Sequence, residues 1–462
     1  PLWTLSLLAF IPLTAKVLNQ NRELKSEVVS LIYGMAFLLS LALILFLGFN
    51  NKSVLSLKWD PYSSGACVLV NLSALISLAL FYLNPWLDRR QFTEILFFFS
   101  QSLVALYVFC LSQDFMTAFI GIEASSLILY VLLAMSRKDL FCLEATIKYF
   151  VLSAISSAVF LYGVSFVFGV AGSLEWGSFF EEGVSFSSFN RLFFLGFGLI
   201  FAGLFFKVAL FPFHSWLADV YQGALTPLTH FMATVIKSAV ILFLGKMFSL
   251  PLFESSEHGS GFLTGLAVTG VLTVLFGNIM ALNQTLVKRL IAFSSLSHSG
   301  YLMMALFGIL TGGESGFSLL FFYLLSYIFL TGGVLTVVQC LEKSSSQIKS
   351  YDLKSLFYRN GFLALAFSIF LLGLAGIPPS FGFFAKVGLF QILIKSSNWM
   401  LLFWAFAGSA IALFYYMKPI TWLSSEERRG ESPFKAPLLA QGLIGFLIFL
   451  NVFGAFLFGS YF

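Results

Sequence analysis

Charge is the scarcest resource of this sequence. Asp, Glu, Lys and Arg make up 10% of its 462 residues, where a soluble domain carries about a quarter. A chain so poor in charge cannot keep a water-bathed surface, so most of its solvent is lipid. Cysteine and histidine are scarce too, with 4 of each. Cys67, Cys110, Cys142 and Cys340 stand far apart, with no CxxC and no Cys/His cluster. That spacing gives no support to a zinc site, an iron–sulfur cluster or a disulfide framework. The formal charge is +5, yet the basic residues form no aromatic-laced stripe, which argues against a nucleic-acid partner.

What is present is apolar. Hydrophobic residues reach 59%, Phe alone accounts for 59 positions, and mean hydropathy is +0.93. Apolar stretches recur near 2–19, 29–49, 64–85, 93–111, 115–135, 146–170, 192–212, 225–249, 262–283, 287–309, 316–340, 361–395, 399–417 and 436–460. Most have the length of about 20 residues that crosses a hydrocarbon core. The expected class is therefore an all-α polytopic membrane protein of about fourteen spans, forming one membrane domain over 1–462. The first stretch lacks a basic n-region and an A-x-A site, so no cleaved signal peptide is expected.

The loops supply a check on this count. Those after odd-numbered spans collect basic residues: Arg22 and Lys25, Arg89 and Arg90, Arg137 and Lys138, Lys288 and Arg289, Lys343 and Lys349, Arg428 and Arg429. Those after even-numbered spans, with adjoining helix ends, hold only Lys52, Lys58, Arg191, Lys246 and Lys395. They also gather Asp60, Asp114, Glu175, Glu181, Glu182 and Glu254. A miscounted span would erase this asymmetry. The positive-inside rule then puts the basic loops on the negative side of the membrane and both termini on the positive side.

Of the 26 Lys and Arg, Lys148, Lys207, Lys237 and Lys386 belong to spans rather than loops, and Glu123 is an acid within the fifth span. An ionisable group at depth costs at least about 2.5–3.5 kcal/mol, so such residues face a protein interior or a hydrated cavity and often mark an ion path. The competing reading is structural: a pair that pins helices, or a lysine that snorkels to the interface, which applies best to Lys148 near the start of its span.

Proline accompanies three of the lysines. Lys207 precedes Pro212, Lys237 follows Pro227, and Lys386 follows Pro378 and Pro379 in a stretch loosened by Gly373, Gly376 and Gly382. Proline removes an N–H and frees a carbonyl one turn back. Helix breaks beside charges near mid-membrane are the usual build of secondary-transporter sites, although proline in a membrane helix often only kinks it. His214, His230 and His298 add titratable groups. A packing role suits His214, whereas His298 lies among Ser294, Ser295, Ser297 and Ser299, a lining able to relay protons or to bond neighbouring helices.

At these residues the chain resembles subunit 2 of proton-pumping NADH:ubiquinone oxidoreductase (respiratory complex I), subunit N in bacteria. The resemblance spans roughly 114–390 and rests on six ordered blocks. They are GIEASSLILYVLLA around Glu123, EATIKYFVLSAISSA around Lys148, FKVALFPFHSWLADVYQGALTP around Lys207, ATVIKSA around Lys237, KRLIAFSSLSHSGYLMM around His298, and GIPPSFGFFAK around Lys386. One departure stands out: Ala218 and Gln222 replace the family's Pro and Glu in W-x-P-D-V-Y-E-G, for which altered loop packing is expected.

The resemblance implies an antiporter-like fold. Three N-terminal helices (1–92) precede two inverted five-helix repeats (93–250 and 262–418) and a C-terminal helix (436–462), with spans 7 and 12 discontinuous. It implies proton transfer through Glu123, Lys207, Lys237, His298 and Lys386, with Lys148 the least secure member. No redox cofactor is expected on this chain; NADH, FMN, iron–sulfur clusters and ubiquinone belong to other subunits. Its partners are the other membrane-arm subunits, including further antiporter-like chains, and lipids. The charge of Glu123 is expected to set the proton affinity of Lys207, with release toward Lys237 and onward through His298 to Lys386. Two rivals remain, a multisubunit cation/proton antiporter and a passive scaffold. The Phe-heavy composition suits a mitochondrial inner membrane, with a bacterial plasma membrane as the alternative.

Overall fold

The computed structural model of the protein describes residues 2–18, 26–48, 53–54, 56–87, 91–136, 140–180, 191–250, 257–312, 316–342, 347–425 and 435–459. Many loop charges behind the sidedness argument lie outside them: Arg22, Lys25, Lys52, Arg89, Arg90, Arg137, Lys138, Glu181, Glu182, Glu254, Lys343, Arg428 and Arg429.

In lipid every backbone N–H and C=O must find its partner within the segment, so the apolar runs fold as helices. The first six are α1 (Leu2–Leu18), α2 (Ser26–Gly48), α3 (Pro61–Leu83), α4 (Phe92–Leu111), α5 (Phe115–Ser136) and α6 (Leu140–Ala171). Then follow α7 (Arg191–Lys207), the short α8 (Leu217–Gly223), α9 (Thr226–Phe248), α10 (Glu257–Leu282), α11 (Val287–Gly312) and α12 (Gly316–Leu341). The chain closes with α13 (Gly361–Ala375), α14 (Phe381–Lys395), α15 (Trp399–Leu423) and α16 (Leu438–Gly459). Among the described residues ten helices are long and apolar enough to cross a membrane; α1, α7, α13 and α14 are shorter apolar helices of 15 to 17 residues. The small exception to an all-helical architecture is an antiparallel pair of two-residue strands, β1 (Ser53–Val54) and β2 (Leu57–Lys58).

The chain divides into two compact units. The first holds α1–α7 (save Leu83 at the end of α3), α9 and the start of α10; the second holds residues 83–85 and 210–222, the rest of α10 and α11–α16. In the first unit α6 and α7 lie against each other through glycines. A Cβ on Gly163 would stand 2.5 Å from the Gly196 carbonyl oxygen, and one on Gly196 would stand 2.8 Å from the Gly163 carbonyl oxygen. Such close backbone approach is how membrane helices gain packing energy without a hydrophobic drive. Outward faces carry large apolar side chains, among them Ile147, Tyr162, Phe414 and Phe456, which lipid accepts at no cost.

Two interruptions fall where the proline pattern puts them. Helix α7 stops at Lys207, and the chain turns through Ala209 (φ 57°) and a cis Phe211–Pro212 bond before α8. Helix α13 ends at Ala375 on Gly376 (φ 86°), and a cis Pro378–Pro379 bond leads to α14. A left-handed φ is easily reached by glycine, and Gly376 also leaves room for the Lys386 stem, whose Cδ would lie 2.8 Å from any Cβ there.

Pro227 does not behave as expected. It occupies the start of α9, where its missing N–H is one of the helix's orphans anyway, and it breaks nothing. The irregularity in this span lies further on, a π-helical stretch over Phe231–Ile236 that ends immediately before Lys237. Helix α6 is also longer than its apolar run suggests, 32 residues from Leu140, so Lys148 lies in its third turn.

Gly163→Val should force α6 and α7 apart and, as overpacking, cost about 1–3 kcal/mol. The expected outcome is a lower melting temperature of the purified assembly and less of the chain incorporated, read by thermal scanning and native gels.

Candidate functional site

The first cluster is built where α7 ends. Lys207 is the last residue of that helix, and a helix C-terminus carries partial negative charge that favours a cation. Its side chain, 3% exposed, donates to Ser126 Oγ of α5 at 2.7 Å and Ser153 Oγ of α6 at 2.6 Å. The Glu123 carboxylate stands 3.7 Å away and accepts from Ser157 Oγ at 2.5 Å. Glu123, Ser126, Ser153 and Ser157 recur at helical spacing, so α5 and α6 each turn one polar stripe toward the lysine. A small cleft lined by Phe119, Ile122, Ser156, Ser157, Phe160 and Gly203 reaches the ammonium group. At 3.7 Å the ion pair is loose, and hydroxyls hold the lysine more closely than the carboxylate does.

Lys237 lies in the same unit, 2% exposed, on the first turn after the π-helical stretch. One to two turns before it, Ser77 Oγ meets His230 Nδ1 at 2.7 Å, and Ser73 and Thr234 share a 2.6 Å hydroxyl contact. Single π-helical turns inside α-helices frequently mark functional sites.

In the second unit, Lys386 on α14 reaches back to the broken end of α13. It donates to the Ala375 carbonyl at 2.7 Å and to Ser409 Oγ at 3.1 Å, and it sits 5.4 Å from the Tyr301 ring centroid. Ala375 ends its helix, so its carbonyl has no intrahelical donor, and the lysine supplies one. His298 on α11 pairs Nδ1 with Tyr323 OH at 2.9 Å, while Nε2 and Tyr416 OH are 3.4 Å apart. Tyr416 also bonds Ser294, and Tyr327 OH donates to Ser295 Oγ at 2.9 Å. Ser294, Tyr416, His298 and Tyr323 thus form one hydroxyl and imidazole chain, with the Ser295–Tyr327 pair beside it, and nothing in the local motif announced these tyrosines.

The remaining candidates divide. Lys148 lies 2.5 Å from Glu144, four residues earlier on α6, and both are substantially exposed at 40% and 57%; the structure does not bring it to Lys207. His214 stacks on Phe276 with ring centroids 4.3 Å apart, which fits packing. Lys288, expected in a loop, instead begins α11 and is buried against Glu342 at 2.6 Å, with side-chain exposures of 6% and 0%. Glu342 follows an apolar run directly and, besides Glu123, is a second acid paired with a buried lysine. Lys246 sits in the last turn of α9 and donates to Ser63 Oγ at 3.2 Å and the Ser112 carbonyl at 3.0 Å. The Gln222 departure also has a place: with Asp219 it accepts from Arg289 Nη1, at 2.9 and 2.7 Å respectively.

Comparison with known proteins follows these residues. The profile of the family described as NADH:quinone oxidoreductase/Mrp antiporter, transmembrane, matches residues 112–412. NADH-quinone oxidoreductase subunit N of Bdellovibrio bacteriovorus is 35% identical over 436 residues, covering 93% of this chain and 89% of that one. The subunit N of Methylovorus glucosotrophus is 32% identical over 436 residues, covering 91% and 88%. A chain of respiratory complex I from Thermus thermophilus with bound aureothin superposes with a TM-score of 0.83 at 29% identity, covering 99% of this chain and 97% of that one. A chain of the Mrp complex from Dietzia sp. shares the fold, with a TM-score of 0.82 at 18% identity over 98% and 95%.

Hydrogen bonds to a charged group are worth about 1.5–3 kcal/mol, so removing one shifts a protonation equilibrium roughly ten- to hundredfold. Replacing Ser126 and Ser153 together by Ala should therefore slow proton movement through the assembled protein by about tenfold or more. The check is the initial rate of vesicle acidification at equal amounts of incorporated chain.

Proposed function

The chain belongs to the NADH:quinone oxidoreductase/Mrp antiporter family of membrane subunits, and on that premise we propose that it is the subunit N of a proton-translocating NADH-quinone oxidoreductase. The observation that carries this reading is the meeting of Lys207, at the end of an interrupted helix, with Ser126, Ser153 and Glu123. A lysine held mainly by neutral hydroxyls, with its carboxylate only loosely paired, can change its charge with its surroundings, which an arginine cannot do.

The role follows in steps. Glu123 stabilises the protonated form of Lys207 while it remains close; when its charge is withdrawn or neutralised, Lys207 gives up its proton toward Lys237. The second set, His298 with its tyrosines and Lys386 on the Ala375 carbonyl, carries a proton in the same cycle. The inverted repeats are assigned to 93–250 and 262–418, each holding one interrupted span. Lys148, paired with Glu144 on an exposed face, is placed outside the transfer chain. Pro212, Pro378 and Pro379 contribute by keeping the interruptions open.

Redox chemistry belongs to other subunits of the assembly, which would hold NADH, FMN, iron–sulfur clusters and quinone. Partners of this chain are the remaining membrane-arm subunits and lipid. The relatives named above are bacterial, which supports a bacterial plasma membrane rather than a mitochondrial inner membrane, with both termini on the positive side.

Lys207→Ala should assemble and oxidise NADH while translocating markedly fewer protons per electron, measured as the proton-to-electron ratio in inverted vesicles. A normal ratio in that variant removes the role given to Lys207, and sodium-dependent transport in its place would favour the cation antiporter reading.

A further inference from the structure

The buried pair of Lys288 and Glu342 has no part in the reading above. The two side chains are 2.6 Å apart and only 6% and 0% exposed. Lys288 lies in the first turn of α11 and Glu342 immediately after α12. Basic residues lie nearby in the chain, Arg289 in the first turn of α11 and Lys349 after α12. By the charge rule that end of the bundle faces the negative side, from which a pump draws its protons. Beside the pair the chain is tied across: Val287 N donates to the Ile348 carbonyl at 3.0 Å, and Ser350 N and Oγ donate to the Thr285 carbonyl at 2.8 and 2.7 Å.

A buried ion pair is poor evidence of stabilisation, because desolvation offsets much of the attraction and apolar residues of similar shape often do as well. The polar side chains that follow it along both helices argue for another use. Along α11, Ser295 follows Lys288 by seven residues and His298 by ten, so all share one helical face. Along α12, Gln339, Thr331 and Tyr327 precede Glu342 by three, eleven and fifteen residues and hold to one stripe. All of these side chains are buried. The two stripes meet where Tyr327 OH donates to Ser295 Oγ, beside His298.

We propose that Lys288 and Glu342 form the loading site through which the second unit takes up its proton, delivering it along these stripes to the His298 network and Lys386. The step balances. A proton from the negative side joins the Glu342 carboxylate, the Lys288 ammonium passes one to the hydroxyl chain, and transfer from the Glu342 carboxyl back to the Lys288 amine restores the ion pair. One proton enters and one leaves. The inference rests on the pumping role given to this unit.

The test compares Glu342→Gln, Lys288→Met and the double variant in the assembled complex, with Lys386→Ala as reference. A loading site requires all three to assemble and to lower the proton-to-electron ratio and the pumping rate, the rate by about tenfold or more, with no recovery in the double variant. Restored pumping in the double variant, where neither charge is left without its partner, would make the pair a structural clamp and overturn the proposal. Full pumping in both single variants overturns it equally. Normal pumping by Lys386→Ala would instead remove the pumping role of the unit itself. If the neutral variants fail to assemble, Glu342→Asp, which keeps the charge, carries the test. Infrared difference spectra on NADH addition should then show a carboxylic C=O band that shifts in this variant, and absence of a shifted band overturns the proposal.

Discussion

A helix that ends inside a membrane leaves carbonyls without donors, and in lipid there is no bulk water to satisfy them. The second unit of this protein meets that requirement with a lysine: Lys386 donates to the Ala375 carbonyl at the end of α13. Much follows from this one bond. It gives a buried ammonium group a reason to be where it is, and it ties α14 back to the end of α13. Lys207 also stands beside an interruption, but as the last residue of α7 itself, and its donors go to serines of neighbouring helices. In the second unit, then, interruption and charge belong together because each removes a cost of the other.

Around these ends the polar groups are neutral and many. Ser126, Ser153 and Ser157 attend the first lysine and its carboxylate, while Ser294, Ser295, Tyr323, Tyr327 and Tyr416 attend His298. Hydroxyls both donate and accept, so a chain of them can reverse its direction after passing a proton. Close helix packing at Gly163 and Gly196 keeps α6 and α7 near enough for Lys207 on α7 to reach Ser153 on α6.

Much of the fold and part of the site were legible in the sequence, for physical reasons that differ by element. Apolar runs of membrane length announce helices because lipid permits little else. Pro212 and the Pro378–Pro379 pair mark interruptions because a missing N–H cannot be hidden in mid-helix. Pro227 misled, since the same residue at a helix start is harmless, and no residue type signals the π-helical stretch that follows it. Lys288 and Glu342 were hidden by their position at the edge of apolar runs, where one-dimensional hydropathy assigns to a loop two side chains that the fold buries. Lys148, near the start of its apolar run, is exposed because α6 begins earlier than that run, and Glu144 pairs with it from one turn away.

The central claim is that these lysines must change charge, and not merely supply a fixed one. Lys386→Arg separates the two, because arginine keeps the positive charge and can still bond a carbonyl but does not release its proton. The measurement is the proton-to-electron ratio of the assembled complex carrying that variant in sealed vesicles. The account requires assembly and NADH oxidation with a depressed ratio. An unchanged ratio would mean that a permanent cation suffices there, and would contradict it.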